Sequence, residues 1–170
     1  MNIINEKSNA ILIGMPGVGK STAGVVFAKL AGFQFLDSDL LIQQQEGRLL
    51  REIIAQDGND GFHAVEERVN CSINAHRTVI ATGGSVVYEP KAMSHLAEIG
   101  KVIYLRASYE TVAARVTNLV GRGVTMKPGQ TLRELYDERK SLYENFCDIA
   151  IDVDNQSVEQ TALAMVETMR

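Results

Sequence analysis

Residues Gly14 to Ser21 have the types and the spacing needed to bind a chain of phosphates. They read Gly-Met-Pro-Gly-Val-Gly-Lys-Ser, a complete G-x-x-x-x-G-K-[ST] loop. Backbone N–H groups turn inward around a triphosphate in such a loop, Lys20 supplies charge to the β- and γ-phosphates, and Ser21 can ligate Mg²⁺. The motif therefore predicts ATP or a close relative as ligand. The residues expected to contact it are Gly14, Pro16, Gly17, Val18, Gly19, Lys20, Ser21 and Thr22.

Two carboxylates follow the second apolar run of the chain, in Asp37-Ser38-Asp39. The carboxyl end of a parallel strand points into the crevice where ligands bind, so both side chains are expected beside the phosphate loop. One carboxylate can hold the Mg²⁺ shell, through water, while the other orients or deprotonates an acceptor hydroxyl. The alternative for Asp39 is that it caps the following helix.

Two glycines, Gly83 and Gly84, follow the third apolar run in Ala-Thr-Gly-Gly-Ser. Glycine lets the backbone approach a ligand where a side chain would collide, which predicts an acceptor site here. A structural bend is the alternative.

Three arginines can supply positive charge around a transferred phosphoryl group: Arg115, Arg122 and Arg139. Such transfer also needs closure against water, and the segment from Gly121 to Gly129 has the glycine content of a mobile loop or lid. For each arginine alone, a place on a solvated helix face is the alternative.

The elements that must position these residues alternate between strand-length apolar runs and helix-length amphipathic segments, which predicts an α/β fold with a largely parallel sheet. Strands are predicted at Ala10–Ile13, Phe33–Asp37, Thr78–Thr82, Lys101–Arg106 and Ile149–Val153. Helices are predicted at Lys20–Ala31, Asp39–Glu46, Leu49–Asp57, Phe62–Ala75, Pro90–Ile99 and Tyr109–Leu119, with none after the last strand. We expect one domain, residues 1–170, with its core at about 9–46, 76–119 and 130–170, a substrate-binding insertion at about 47–75 and a lid at about 120–129.

Composition and charge exclude several classes of protein. The 170 residues are 45% hydrophobic, as in an ordinary globular chain, and the net charge of −4 without a Lys/Arg cluster argues against a nucleic-acid partner. Apolar runs are too short to span a bilayer and the N-terminus has no signal-peptide pattern, so a cytoplasmic protein without a membrane partner is expected. Cys71 and Cys147 are expected to be reduced structural thiols.

The order of these motifs resembles the shikimate kinase family from about Ala10 to Gln156. This resemblance implies a three-layer P-loop kinase fold of the nucleoside-monophosphate-kinase type, with a five-stranded parallel sheet, helices on both faces, a substrate-binding insertion and a mobile lid. It also implies a monomer that phosphorylates the 3-hydroxyl of shikimate, a small hydroxy acid, with ATP and Mg²⁺.

The resemblance also implies roles for single residues. Asp37 matches the carboxylate of the Mg²⁺ shell, so the implied metal site consists of Ser21 and Asp37. Asp39 matches the carboxylate that binds and activates the hydroxyl of the acceptor. Arg139 matches the arginine that pairs with the shikimate carboxylate, although Ser141 replaces the usual proline.

Further matches concern the nucleotide. Arg122 resembles the lid arginine that reaches the phosphates, and Arg115 resembles the one that packs on adenine. Asn155 and Gln156 correspond to the loop that flanks adenine. The catalytic set implied is Lys20, Asp39 and Arg122, and the substrate-binding set is Asp39, His63, Gly83, Gly84, Ser85 and Arg139.

Two departures from the family pattern fall in the acceptor site. His63 stands where the family has a second carboxylate-binding arginine, and Ser85 stands where it has a third glycine. An imidazole offers a shorter reach and fewer donors than a guanidinium, and Ser85 adds a side chain where the family backbone touches the substrate. Three hypotheses follow: weaker binding of shikimate, a different acceptor such as a gluconate-like polyol acid, or a nucleotide-binding module without catalysis.

Overall fold

A central parallel sheet organises the chain, for which a computed structural model describes residues 7–170. Its five strands are β1 (Asn9–Ile13), β2 (Gln34–Asp37), β3 (Thr78–Ala81), β4 (Gly100–Arg106) and β5 (Ile149–Asp152). They lie in the order β2-β3-β1-β4-β5, and every neighbouring pair is parallel. The predicted five-stranded parallel sheet is confirmed.

Within residues 7–170, seven helices surround this sheet. They are α1 (Lys20–Ala31), α2 (Ser38–Glu46), α3 (Leu50–Cys71), α4 (Pro90–Ile99), α5 (Tyr109–Arg115), α6 (Leu132–Phe146) and α7 (Val158–Thr168), with a short 3-10 helix at Val86–Tyr88. All residues of β1 and β3 are buried, which requires cover on both faces of the sheet. Helix α1 packs against α7 and β3, while α4 packs against α3 and β4. The α/β class predicted from the alternating pattern is confirmed.

The helices differ from the predicted ones in three places, and one of them is α6, for which no range was predicted. Helix α3, in contrast, contains both helices predicted in this segment, because Gly58, with φ 74° and ψ 178°, is not helical and separates them by a kink. Helix α5 ends at Arg115 rather than Leu119. Helix α7, which was not predicted, follows β5 and begins with a capping box in which the Ser157 side chain and Gln160 satisfy each other's backbone N–H groups.

The strand order places the residues of interest at one edge of the sheet. The phosphate loop follows β1, Asp37 ends β2, and Thr82 follows β3, so all three lie at carboxyl ends of adjacent parallel strands. The chain turns to opposite sides of β1 to form β3 and β4, and this reversal opens a crevice in sheets of this type.

Within residues 7–170, none of the helices has both the length and the apolar character that crossing a membrane demands. Cys71 and Cys147 are half-buried and unpaired with each other.

Candidate functional site

The phosphate loop connects β1 to α1 and ends in Gly19, which is the N-cap of α1 and has φ 92°. Lys20 is the first residue of the helix, and its Nζ donates to the carbonyl oxygens of Gly14 at 2.7 Å and Met15 at 3.0 Å. Burial lowers the pKa of Lys20 to about 8, an effect that the nearby Asp39 opposes. The ammonium group thus lies inside the loop at the positive end of α1.

A cavity of about 440 Å³, here called the phosphate cavity, opens over this loop. It is lined by Pro16, Gly17, Gly19, Lys20, Ser21, Thr22, Asp39, Thr82, Gly84 and Arg122. Two predicted contact residues lie elsewhere. A Cβ on Gly14 would lie 2.6 Å from the carbonyl oxygen of Leu105, so this glycine permits close packing against β4. Val18 is buried in the core.

Asp37 and Asp39 have different surroundings. One oxygen of Asp37, Oδ1, accepts from the N–H groups of Asp39 and Leu40 and caps α2, while Oδ2 accepts from the Ser21 hydroxyl at 2.6 Å. The cap of α2 is therefore Asp37, and the alternative that Asp39 is the cap is wrong. Oxygen ligands suit Mg²⁺, and the pair Ser21 and Asp37 presents two of them beside the phosphate cavity.

Asp39 lies in the first turn of α2 with its carboxylate against Gly83, where a Cβ would be only 2.6 Å from Oδ1. Burial, together with the charges of Glu66 and Asp37, raises the pKa of Asp39 to about 7. A carboxyl group with such a pKa can take up or release a proton near neutral pH.

A second, smaller cavity of about 40 Å³, here called the acceptor cavity, adjoins the first. It is lined by Pro16, Asp39, Phe62, Glu66, Gly83, Gly84, Ser85, Arg122, Gly123, Val124, Thr125 and Arg139. Pro16, Asp39, Gly84 and Arg122 line both cavities. The structure therefore brings five of the six predicted substrate-binding residues to one cavity, next to the phosphate loop.

Close approach explains both glycines of this cavity. A Cβ on Gly84 would lie 2.9 Å from Nη1 of Arg139 and 3.0 Å from Pro16. The carbonyl oxygen of Gly84 accepts from the Tyr143 hydroxyl at 2.5 Å, which fixes this backbone against α6. A side chain at either glycine would displace Asp39 or Arg139.

Arg139 is the largest fully buried side chain of the described residues, with 1% of its surface exposed. Its Nη2 donates to the carbonyl and the hydroxyl of Thr125, at 3.1 and 3.2 Å, and its guanidinium lies over the ring of Tyr88. Its Nε is buried and has no hydrogen-bond partner in the part of the chain that the structure describes. A buried guanidinium with an unused donor is suited to bind an anionic group.

The remaining predicted residue, His63, lines a neighbouring cavity of about 280 Å³, here called the side cavity. Its Nδ1 lies 2.7 Å from Oε1 of Glu89 and 3.6 Å from Oε1 of Glu66. The Ser85 hydroxyl donates to both carboxylate oxygens of Glu66, at 2.7 and 2.9 Å. Both departures from the family pattern thus contact Glu66.

Sequence reasoning missed Glu89, which is 95% buried, because a glutamate directly before Pro90 resembles an ordinary start of a helix. It also missed Tyr88 and Tyr143, whose roles depend on α6 and the segment after β3 meeting in space. Motif spacing carries no signal for such contacts.

The segment between α5 and α6 covers the acceptor cavity. Thr125 is buried against Arg139, the Asn59 amide donates to the carbonyl of Met126 at 2.8 Å, and Lys127 pairs with Glu138. The predicted lid therefore contacts both α3 and α6.

The two arginines near the lid lie at the phosphate loop. A Cβ on Gly17 would be 3.5 Å from Cβ of Arg115 and 3.7 Å from Nη1 of Arg122. Asn155 and Gln156 lie in the loop after β5, and the preceding Asp154 accepts from the backbone N–H of Ser108 at 3.1 Å. This bond joins that loop to the start of α5.

Comparison with known proteins agrees with this geometry. A sequence model of the shikimate kinase family matches residues 16–170. The shikimate kinase of Thiobacillus denitrificans is 37% identical over 158 residues, which cover 91% of this chain and 86% of that protein. The shikimate kinase of Pasteurella multocida is 36% identical over 166 residues, 95% of each chain.

Among solved structures, the shikimate kinase of Acinetobacter baumannii in complex with shikimate superimposes with a TM-score of 0.85 at 28% identity, over 96% of this chain and 93% of that one. Sequence and fold thus agree along nearly the whole length. The chain belongs to the shikimate kinase family.

Proposed function

We propose that this protein transfers the γ-phosphoryl group of ATP to a hydroxyl of shikimate, with Mg²⁺ as cofactor. The observation that carries the proposal is the position of Asp39, which lines both the phosphate cavity and the acceptor cavity. A carboxylate shared by the two cavities can contact an acceptor hydroxyl and direct it toward a phosphate bound over the loop.

Family membership supports the donor and the type of reaction, and the Acinetobacter baumannii relative, described with shikimate bound, supports the acceptor. Arg139 is the buried cation available to the acceptor's carboxylate, because its Nε has no hydrogen-bond partner among residues 7–170. Gly83 and Gly84 let the backbone at the wall of the acceptor cavity lie directly against Asp39 and Arg139.

On the nucleotide side, Lys20 and Arg122 would neutralise the charge that develops on the transferred group. Mg²⁺ held by Ser21, with Asp37 in its outer shell, would add positive charge at the phosphates. Arg115, Asn155 and Gln156 would flank the adenine. Most of the acceleration would come from positioning and charge stabilisation, since phosphoryl transfer asks little covalent chemistry of the protein.

Coupled measurement of ADP release tests the acceptor. We expect shikimate to stimulate ADP release far more than gluconate or other hydroxy acids do. A better acceptor in that panel would support a different substrate for the same machinery. ATP binding without stimulation by any acceptor would support a nucleotide-binding module and reject the proposal.

We further propose that the protein acts as a monomer in the cytoplasm. The family resemblance supports the first point, and the need for a supply of ATP supports the second.

A further inference from the structure

An ion-pair cluster lies behind the acceptor cavity and uses a residue outside the motifs. His63 stands between two carboxylates, with Nδ1 at 2.7 Å from Glu89 and 3.6 Å from Glu66. The side chains of Glu89 and Glu66 are only 6% and 1% exposed, whereas that of His63 is 24% exposed. The three residues come from α3 and from the turn before α4.

Two buried carboxylates so close together need compensation, because burying an unpaired charge costs far more than a buried ion pair does. Glu66 has the Ser85 hydroxyl as a donor, whereas the polar group that Glu89 faces is the His63 ring, with Nδ1 at 2.7 Å from Oε1. The imidazole of His63 is the titratable base in contact with both. Burial and the charge of Glu66 raise the pKa of Glu89 to about 8, and the contact with His63 opposes this rise, so the pair is compensated by a proton on His63 or on Glu89.

The wider surroundings agree with this assignment. Asp60, Lys127 and Glu138 line the same side cavity as His63, from α3, the lid and α6. The rings of His63 and Tyr88 form a T-shaped pair with centroids 5.6 Å apart. Lys127 already pairs with Glu138, so its charge is engaged. Burial opposes protonation of His63, yet Glu66 and Glu89 together raise its pKa to about 9.

We propose that Glu89 is a positioning residue for acceptor recognition: with Glu66 it holds His63 as an imidazolium, and this cation screens Glu66 from the acceptor's anionic group. His63 then compensates the negative charge of Glu66 at the wall of the acceptor cavity and does not bind the acceptor's anionic group itself, as the family arginine at this position does. Of positions 63 and 139, only Arg139 contacts that anionic group. The inference rests on the proposed function, because it assumes an anionic acceptor at Arg139.

The first test needs no substrate. The chain has three histidines, so NMR titration of their ring resonances, with His63 assigned from a His63→Asn variant, gives its pKa directly. We expect His63 to titrate above pH 8 in the native protein and at least one pH unit lower in Glu89→Gln. Asp137→Asn, which changes an exposed carboxylate of α6 that pairs with Arg133 outside the side cavity, is the control and should leave the His63 titration unchanged.

Titration of native His63 near pH 6.5, or an unchanged value in Glu89→Gln, would overturn the proposal. His63, Glu66 and Glu89 also have donor atoms close enough to ligate a metal. The proposal would therefore also be overturned if the nucleotide-free protein bound one equivalent of Zn²⁺, if this binding perturbed the His63 resonances, and if Glu89→Gln abolished it. These readouts stand whether or not shikimate is the acceptor.

The second test is kinetic. A group whose pKa is raised keeps its proton to higher pH, so native His63 stays charged at pH 8 while His63 of Glu89→Gln loses charge. Because Asp39, with a pKa of about 7, also titrates in this range, the native protein is the reference. Between pH 6 and pH 8 we expect the KM for shikimate to rise about three- to tenfold more in Glu89→Gln than in the native protein, with the KM for ATP changing equally in both. A parallel rise of both KM values would indicate general distortion of the site and overturn the positioning role.

Discussion

At the residue scale, the two aspartates after β2 show how neighbouring carboxylates acquire separate tasks. Asp37 uses one oxygen to cap α2 and the other to accept from Ser21. Asp39 lies between the two cavities, against Gly83, with a raised pKa. Because the cap is supplied two residues earlier, Asp39 is available to a ligand.

Replacement of Asp39 tests this division. We expect Asp39→Asn to lower kcat by about 10²- to 10⁴-fold, the usual contribution of a positioned proton acceptor, while the KM for ATP changes less than twofold. Steady-state kinetics with both substrates varied gives both values. Asp57→Asn, which alters an exposed carboxylate paired with Arg48, is the control and should leave kcat unchanged. An intact kcat in Asp39→Asn would mean that the carboxylate has no role in transfer.

The residues of the site that could be predicted are those whose chemistry is local. A phosphate loop works through consecutive backbone groups, so its spacing is visible in the chain. Glu89, Tyr88 and Tyr143 could not be predicted, because each acts on a residue far away in sequence. The contact of Ser85 with Glu66 could not be predicted either, because it also joins two residues that are far apart in sequence.

At the element scale, the interruption of α3 determines where its second half, with His63 and Glu66, lies beside the acceptor cavity. Gly58 has φ 74° and ψ 178°, a region of backbone space that is nearly restricted to glycine. The second half of the helix then carries His63 and Glu66 toward the segment after β3. A continuous helix would direct the two side chains elsewhere, since each residue adds a fixed rotation about the helix axis.

Substitution of this glycine should therefore affect both stability and acceptor binding. We expect Gly58→Ala to destabilise the protein by about 1–3 kcal/mol. This loss comes from backbone strain alone, because a Cβ at this position has no atom within 4 Å. We also expect the variant to raise the KM for shikimate more than the KM for ATP. Urea denaturation and steady-state kinetics measure the two effects.

Gly47→Ala provides the matched control. Gly47 also has positive φ, 64°, with open space at the Cβ position, but it ends α2 and does not set the direction of the second half of α3. This variant should lose stability without a selective change in the KM for shikimate. An equal change of the KM for shikimate in Gly58→Ala and Gly47→Ala would show that the conformation of Gly58 has no specific effect on acceptor binding.

The sheet was predictable at this scale because buried parallel strands are continuous apolar runs. Helix α7 was missed although Ser157 and Gln160 form a capping box, because its buried positions include Thr161 beside Ala162 and Met165 and so give a weak apolar stripe. The early end of α5 depends on Val116 taking an extended conformation, φ −95° and ψ 96°, that its own sequence does not require.

At the scale of the whole molecule, the strand order β2-β3-β1-β4-β5 brings segments from both halves of the chain to one crevice. The phosphate loop and Asp39 come from the first half, and Arg122 and Arg139 come from the second. The alternation of strands and helices predicted the class of fold, whereas the contacts of the lid with Asn59 and Arg139 required the assembled molecule.

Because the two cavities share Pro16, Asp39, Gly84 and Arg122, donor and acceptor are expected to bind cooperatively. Calorimetry with a non-hydrolysable ATP analogue should show that it strengthens shikimate binding about fivefold or more, and that shikimate strengthens analogue binding by the same factor. Arg122→Ala should reduce this factor, since Arg122 reaches both cavities from the lid.

Arg133→Ala, which removes an exposed arginine paired with Asp137 on α6, should leave the coupling factor intact. Equal shikimate affinity with and without the analogue would show that the residues shared by the two cavities do not couple the binding of donor and acceptor. Arg122 would then act on the phosphates alone, and closure of the lid would depend on the contacts of Thr125 with Arg139 rather than on the nucleotide.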